Sequence, residues 1–247
     1  MIRALAWLAV LGLVAFAPEA ALAQSVNIDL GGEAGGGSTA ARVIQLFLLM
    51  TVLSLAPGIL LMVTSFTRIA VVLSMLRQAI GTNTTPPNMV ILSLAMFLTF
   101  FVMAPTFERS WNEGVSPLIE EQISEGEALE RAARPFHDFM MKNVNERDLA
   151  LFVDMARVPE GTEPAALPYQ ALIPAFMISE LRRAFEIGFL LYLPFIIIDM
   201  VVASVLMSMG MMMLPPVMLA LPFKLIFFVL IDGWYLIAGS LVQSFQP

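Results

Sequence analysis

Long apolar segments alternate with short polar breaks along the chain, and they fall into two pairs, at 43–107 and 168–247. A charged stretch, 108–167, separates the pairs. Runs of about 20 apolar residues are typical of helices that cross a membrane. In the first pair the polar sequence GTNTTPPN predicts a turn, Pro57 predicts a kink, and Pro105 predicts the end of the second helix. The pattern predicts an all-α, membrane-type protein of two long apolar helical hairpins joined by a polar helical insert.

The second pair contains helices predicted at 188–209 and 217–241, after an amphipathic lead-in at 172–187. The sequence SMGMMMLPP between them is almost without polar side chains, although turns usually lie at polar surfaces. Three residues break regular structure there: Gly210, Pro215 and Pro216. We therefore predict a loop whose adaptable thioether side chains act as a pore gate when several copies surround an axis. The alternatives are core filling or a loop that dips into lipid. The residues are Met209, Met211, Met212 and Met213.

Ionisable residues also lie within the apolar segments, where an unpaired charge is strongly unfavourable: Arg68, Asp199, Lys224 and Asp232. Asp199 lies 13 residues before Met212 and Lys224 lies 12 after it, so the two reach nearly the same depth in the hairpin and can pair. Glu180 can reach Lys224 only from elsewhere, for example from a neighbouring copy. A buried pair that fixes register is one explanation. A small-solute or ion transporter that uses these Asp and Lys groups is the alternative.

The insert at 108–167 is broken by prolines and has apolar residues at helical spacing, which predicts two or three short amphipathic helices outside the hydrocarbon: Leu118, Ile119, Ile123 and Leu129. Between Glu108 and Glu186 there are 15 acidic and 8 basic residues, which accounts for the net charge of -7. A solvated face explains this charge better than a specific binding patch does. No basic surface for nucleic acid is indicated.

The N-terminal sequence has the features of a cleavable signal peptide at 1–23, with a basic start, an apolar run and a small-residue site ending at Ala23. An uncleaved membrane helix is the alternative. A Gly/Ser-rich tether follows at 24–42. With an exported N-terminus, the basic residues Arg68 and Arg77 place the first hairpin turn on the cytoplasmic side. The insert is then periplasmic and the methionine loop cytoplasmic.

The composition excludes several kinds of catalytic site. The chain has no cysteine and one histidine, His137, and it lacks the GxxxxGK[ST] sequence of a P-loop. We expect no cofactor, no metal and no enzymatic activity. A Ser–Lys hydrolase using Lys224 has no supporting motif, because serines are common in membrane helices as packing and hydrogen-bonding residues.

Three long blocks of the sequence resemble the FliP/SctR family of type III secretion export-gate proteins: TRIAVVLSMLRQAIGTNTTPPN, PAFMISELRRAFEIGFLLYLPF and DMVVASVLMSMGMMMLPPVMLALPFKLIFFVLIDGW. The resemblance covers about 43–245. It implies a ring of five copies in the bacterial inner membrane, at the flagellar basal body, with FliQ and FliR and near FlhA and FlhB. Unfolded flagellar proteins pass through its centre. The signal peptide and tether favour the flagellar branch of the family.

The resemblance also implies roles for individual residues. The methionine loop, Met209 and Met211–Met213, would line the constriction of the pore. Glu180 and Lys224 would take part in ion pairing between subunits, which competes with the Asp199–Lys224 pairing. The ring would sit largely above the membrane plane, so that apolar helices pack against partner helices rather than crossing the bilayer.

Overall fold

A computed structural model describes residues 39–82, 84–159, 161–211 and 215–245. The predicted signal peptide and most of the predicted tether lie outside this part of the chain. The chain divides into two units, Met1–Leu49 and Met50–Pro247. The described residues of the first unit are helical, and the contacts that build the core and the site lie within the second unit.

The described residues form helices and turns, with no strand among them. This confirms the predicted all-α fold class. We number the α-helices in chain order: α1 (Thr39–Met62), α2 (Phe66–Ile80), α3 (Asn88–Ser110), α4 (Ser116–Ile119), α5 (Glu125–Asn143), α6 (Glu146–Met155), α7 (Tyr169–Ser208), α8 (Pro216–Leu230) and α9 (Gly233–Gln243). A π-helical turn, Trp111–Val115, joins α3 to α4, and a short 3-10 helix, Pro164–Ala166, precedes α7.

Two helical stretches are long and apolar enough to cross a membrane, Asn88–Ile119 and Tyr169–Ser208. Two further pairs of helices, α1 with α2 and α8 with α9, pass the same test as bent spans, which gives up to four in the described part of the chain. The membrane-type character predicted from the sequence is therefore confirmed. Helix α7 has 40 residues, so it is about 60 Å long, twice the thickness of a bilayer's hydrocarbon core.

The core forms where α2 packs along α7. The buried positions of α2 recur at three- and four-residue intervals, the spacing that builds one apolar face of a helix: Ile69, Val72, Leu73, Leu76 and Ile80. At Gly188 of α7, a Cβ atom would lie 2.3 Å from the sulfur of Met75, so this glycine permits the close approach of the two helices. A second apolar cluster around Met140 and Phe176 joins α5 to α7.

Helix ends in the insert follow ordinary capping rules. The Ser124 side chain accepts a hydrogen bond from the Glu127 N–H at the start of α5, and the Asn145 side chain accepts one from the Arg147 N–H at the start of α6. The insert is helical, as predicted. Its residues Ile119 and Leu129, however, are exposed rather than packed on a common face.

The helix end predicted at Pro105 is wrong. Helix α3 continues through Pro105 to Ser110 and on through the π-helical turn. At Gly114 in that turn a Cβ atom would lie 2.6 Å from that of Ala132, so tight packing against α5 extends the helix beyond the proline. Helix α1 contains Pro57 and ends at Met62, and the kink predicted at Pro57 stays a prediction.

The last predicted helix, 217–241, is broken in two. Helices α8 and α9 meet at a 64° bend, and Asp232 adopts a left-handed conformation there with φ 51°. Aspartate tolerates this conformation better than most residues do. At Gly233 the Phe228 ring lies 2.2 Å from where a Cβ atom would be. In the described part of the single chain Asp232 is exposed at this break, and its role as a buried charge or in pairing between subunits stays a prediction.

Candidate pore loop and buried ion pairs

Arg68 of α2 and Glu180 of α7 form an ion pair that is fully buried. Arg68 Nε donates to Glu180 Oε2 at 2.9 Å, and Nη2 donates to Oε1. Arg68 Nη1 donates to both the carbonyl oxygen and the hydroxyl of Ser244, each at 3.0 Å. The guanidinium carbon lies 3.7 Å from the centroid of the Phe245 ring. One side chain thus joins α2, α7 and the residues that follow α9.

Lys224 of α8 and Asp199 of α7 form a second pair. Lys224 Nζ donates to Asp199 Oδ2 at 2.7 Å, the partner that depth within the hairpin predicts. Nζ also donates to the Ala79 carbonyl at 3.1 Å, in the last turn of α2. A cation at a helix C-terminus satisfies a free carbonyl and interacts favourably with the helix dipole. This lysine therefore fixes the second hairpin to the end of α2.

The two oxygens of Asp199 differ in their surroundings. The side chain is 32% exposed, yet Oδ1 is buried and has no hydrogen-bond partner among the described residues. Glu180 accepts from Arg68 within the same chain, so the described chain gives both Glu180 and Lys224 an internal partner. The pairing between subunits that the family resemblance implies stays a prediction.

A third ion pair connects the insert to α7, and sequence reasoning missed it. Arg182 Nη2 donates to Asp148 Oδ1 at 2.6 Å, and Ser179 Oγ donates to Asp148 Oδ2 at 3.0 Å. The Asn145 N–H donates to Ser179 Oγ at 3.0 Å. Asp148 is buried although it lies in a strongly charged segment, where nothing distinguishes it from its solvated neighbours.

The methionine loop begins where α7 ends in a Schellman motif. The Met211 N–H donates to the Leu206 carbonyl and the Gly210 N–H donates to the Met207 carbonyl. Gly210 has φ +73°, a left-handed conformation that glycine adopts without strain. Met209, immediately before it, is 64% exposed. Met212 and Met213 lie outside the described residues.

Two prolines begin the next helix. Pro215 is the N-cap residue of α8 and Pro216 is its first residue. Proline suits the first helical position because its fixed φ matches the helix and its missing N–H would have no partner there. Gly210 and this proline pair thus end one helix and begin the next on either side of the predicted gate.

A large apolar surface remains exposed on the chain by itself. Side chains more than half exposed occur on α3, α7, α8 and α9, including Phe97, Phe101, Phe189, Leu190, Ile226, Val229, Leu230 and Tyr235. Soluble monomers rarely expose contiguous apolar patches of this kind. This surface requires lipid or other protein subunits to cover it.

Together these features define an all-helical, membrane-type protein whose apolar hairpins are held by buried ion pairs and whose turn is rich in methionine. A family model, the FliP family, matches residues 49–241. The flagellar biosynthetic protein FliP of Caulobacter vibrioides is 59% identical over 248 residues, covering 99% of this chain and 92% of that protein. The chain belongs to the FliP family.

Other relatives are similar in sequence to this chain over most of their length. The flagellar biosynthetic protein FliP of Agrobacterium fabrum is 53% identical over 248 residues, covering 100% of both chains. That of Bacillus subtilis is 54% identical over 205 residues, covering 83% of this chain and 93% of that protein. All three relatives carry a name that describes a role in flagellar biosynthesis.

Proposed function

We propose that this protein is a pore-forming core subunit of the flagellar type III export gate, and that it conducts unfolded flagellar proteins across the bacterial inner membrane. The observation that carries the proposal is the match to the FliP family along 49–241, which includes both the ion pairs and the methionine loop. A ring of five copies, joined by FliQ and FliR and acting with FlhA and FlhB, is part of the proposal. The exposed apolar surface supports it, because neighbouring subunits would cover that surface.

The chain's own residues suggest how such a subunit works. The ion pairs hold α7 and α8 against α2, so the loop between them has a rigid support. Methionine side chains are long and unbranched, and they adapt to objects of different shape. Several copies of Met209 and Met211–Met213 around an axis would close the pore at rest and yield to a passing chain. The insert at 108–167 would lie on the periplasmic side, after removal of the signal peptide at 1–23.

The transporter alternative receives less support from the geometry. A proton or ion path needs titratable groups along one route. Asp199 and Lys224 pair with each other, Glu180 pairs with Arg68, and Asp232 is exposed at a helix break. Four of these five groups form two separate ion pairs, which suits a role in holding helices together.

A stalled export substrate tests the proposed function. A photo-cross-linking amino acid at position 209 is expected to form adducts with a flagellar subunit that is halted by a tightly folded C-terminal fusion. The matched control carries the cross-linker at Leu129, which is similarly exposed but lies on α5 in the insert. Adducts at 209 and none at 129 are the expected result. Equal yields at the two positions, or none at 209, would contradict a central path at the methionine loop.

Deleting Met211–Met213 tests the gate itself. The deletion removes apolar side chains from a loop without touching the ion pairs, so assembly is expected to be normal. Passive permeability to small ions is expected to rise in vesicles that contain the assembled complex. Replacing the same three residues with leucine is the control, because it retains apolar volume. Unchanged permeability in the deletion, with the mass of the complex intact, would eliminate the gate.

A further inference from the structure

Arg183 and Glu186 are exposed, oppositely charged residues one turn apart on α7. Neither makes an ion pair or a side-chain hydrogen bond with the residues that the structure describes, whereas the nearby Arg182 pairs with Asp148. Arg183 lies close enough to the buried Glu180 to interact with its charge but makes no hydrogen bond to it, since the Glu180 oxygens accept from Arg68. Both lie in the amphipathic first half of α7, where opposite charges three residues apart can pair with each other or with a neighbouring copy.

An apolar stripe continues from this charged pair along the same face of the helix. Its residues follow at alternating intervals of four and three, which is the spacing of a seam between two packed helices. All of them are exposed in the single chain: Leu190, Leu193, Ile197 and Met200. We call the six residues from Arg183 to Met200 in this series the α7 seam. Lipid would cover its apolar part equally well, so the charged end of the stripe is the feature that favours a protein partner.

The arrangement of charges favours a second copy of the chain as the occupant. An unshifted parallel contact would place Arg183 against Arg183, which is unfavourable. A shift of three residues, about 4.5 Å at ~1.5 Å per residue, brings Arg183 of one copy opposite Glu186 of the next. An antiparallel two-fold contact would also pair the charges, but it would leave the stripe beyond Leu190 uncovered. The shifted contact is head-to-tail, and repetition of such a contact gives a ring when the rotation between neighbours closes.

We propose that the α7 seam is an interface between copies of this chain, in which Arg183 of one copy pairs with Glu186 of its neighbour and the apolar stripe packs between them. The proposal rests on the ring in the proposed function and specifies which helix face forms its contact. The pair would set both the order and the register of neighbouring subunits, since the apolar stripe alone permits sliding.

Thiol cross-linking between two differently tagged copies tests the contact. The chain contains no cysteine, so engineered thiols are the only ones present. One copy carries Arg183→Cys and the other carries Glu186→Cys, which makes a cross-link within one chain impossible. A short bismaleimide is used because an ion pair holds Cα atoms farther apart than a disulfide tolerates. A dimer that carries both tags is the expected product, and either copy alone should give none.

A second pair of copies, with Ile197→Cys in one and Met200→Cys in the other, tests the orientation, because the shifted parallel contact brings these positions together whereas an antiparallel contact separates them by roughly 40 Å. Mixed dimers at 183 and 186 with none at 197 and 200 would indicate a two-fold contact and overturn the proposal. The mass of the detergent-purified complex is measured on the same samples. A ring-sized complex without mixed adducts would reject the α7 seam and leave the proposed function standing, whereas a monomer would contradict the ring itself.

Charge reversal provides an independent readout. Arg183→Glu is expected to lower the assembled fraction by roughly tenfold or more, because it brings like charges together across the interface. Adding Glu186→Arg to the same chain restores opposite charges and should recover assembly. Arg131→Glu is the control, since Arg131 is an exposed arginine whose ion pair with Glu127 lies within α5. If Arg183→Glu lowers the assembled fraction and the added Glu186→Arg does not restore it, that result would contradict the pairing.

Discussion

Replacing Arg68 with methionine is expected to lower the free energy of unfolding by about 3–5 kcal/mol, the usual cost of removing one member of a buried ion pair. Glu180 would remain fully buried without its cation, and the Ser244 carbonyl would lose its donor. Methionine retains much of the arginine's apolar volume, so the lower free energy of unfolding would result from the missing charge rather than from a new cavity. Chemical unfolding of the detergent-purified protein measures it.

Two controls separate burial from charge in this experiment. Arg109→Met also removes an arginine with acidic partners, Glu113 and Asp138. Because the Arg109 side chain is half exposed, its removal should lower the free energy of unfolding by less than about 1 kcal/mol. The double variant Arg68→Met with Glu180→Leu removes both buried charges and should recover most of the stability. Similar losses for Arg68→Met and Arg109→Met would refute the special role of the buried pair.

The sequence was sufficient to predict the helices and the hairpins because apolar runs and turn residues are local signals. The same kind of reasoning found Asp199 and Lys224, since distance from a shared turn determines depth in a hairpin. Arg68 and Glu180 are separated by 112 positions and lie in different hairpins. No rule of spacing joins them, because their contact depends on how α2 packs along α7.

The errors arose where tertiary packing overrides local preference. Pro105 is a strong stop signal in sequence, yet α3 continues past it because Gly114 lets α5 pack tightly against the extended helix. The error at Asp232 is the reverse one, because a continuous helix was predicted there and the helix is broken. The segment is apolar apart from Lys224 and Asp232, and the Phe228 ring occupies the space beside Gly233, where the chain turns. Neither contact is visible in a pattern of polar and apolar residues.

Lys224→Met is expected to affect both stability and assembly, because the second ion pair joins α7 to α8, the helices on either side of the methionine loop. The change leaves both oxygens of Asp199 without a partner among the described residues and frees the Ala79 carbonyl. We expect a loss of about 3 kcal/mol, at the low end for a buried pair because Asp199 is 32% exposed. Unfolding measurements and the mass of the purified complex check the two effects.

A double variant distinguishes a structural role of Lys224 from a functional one. Lys224→Met combined with Asp199→Leu removes both charges, so stability and ring assembly should largely recover. If motility recovers with them, the pair serves to hold α8 at the end of α2. If the ring assembles normally but cells remain non-motile, the charges act in export itself. That result would make Asp199 and Lys224 candidates for a coupling site again. A role in holding the helices together would then not be enough to explain why this chain has a lysine in an apolar helix.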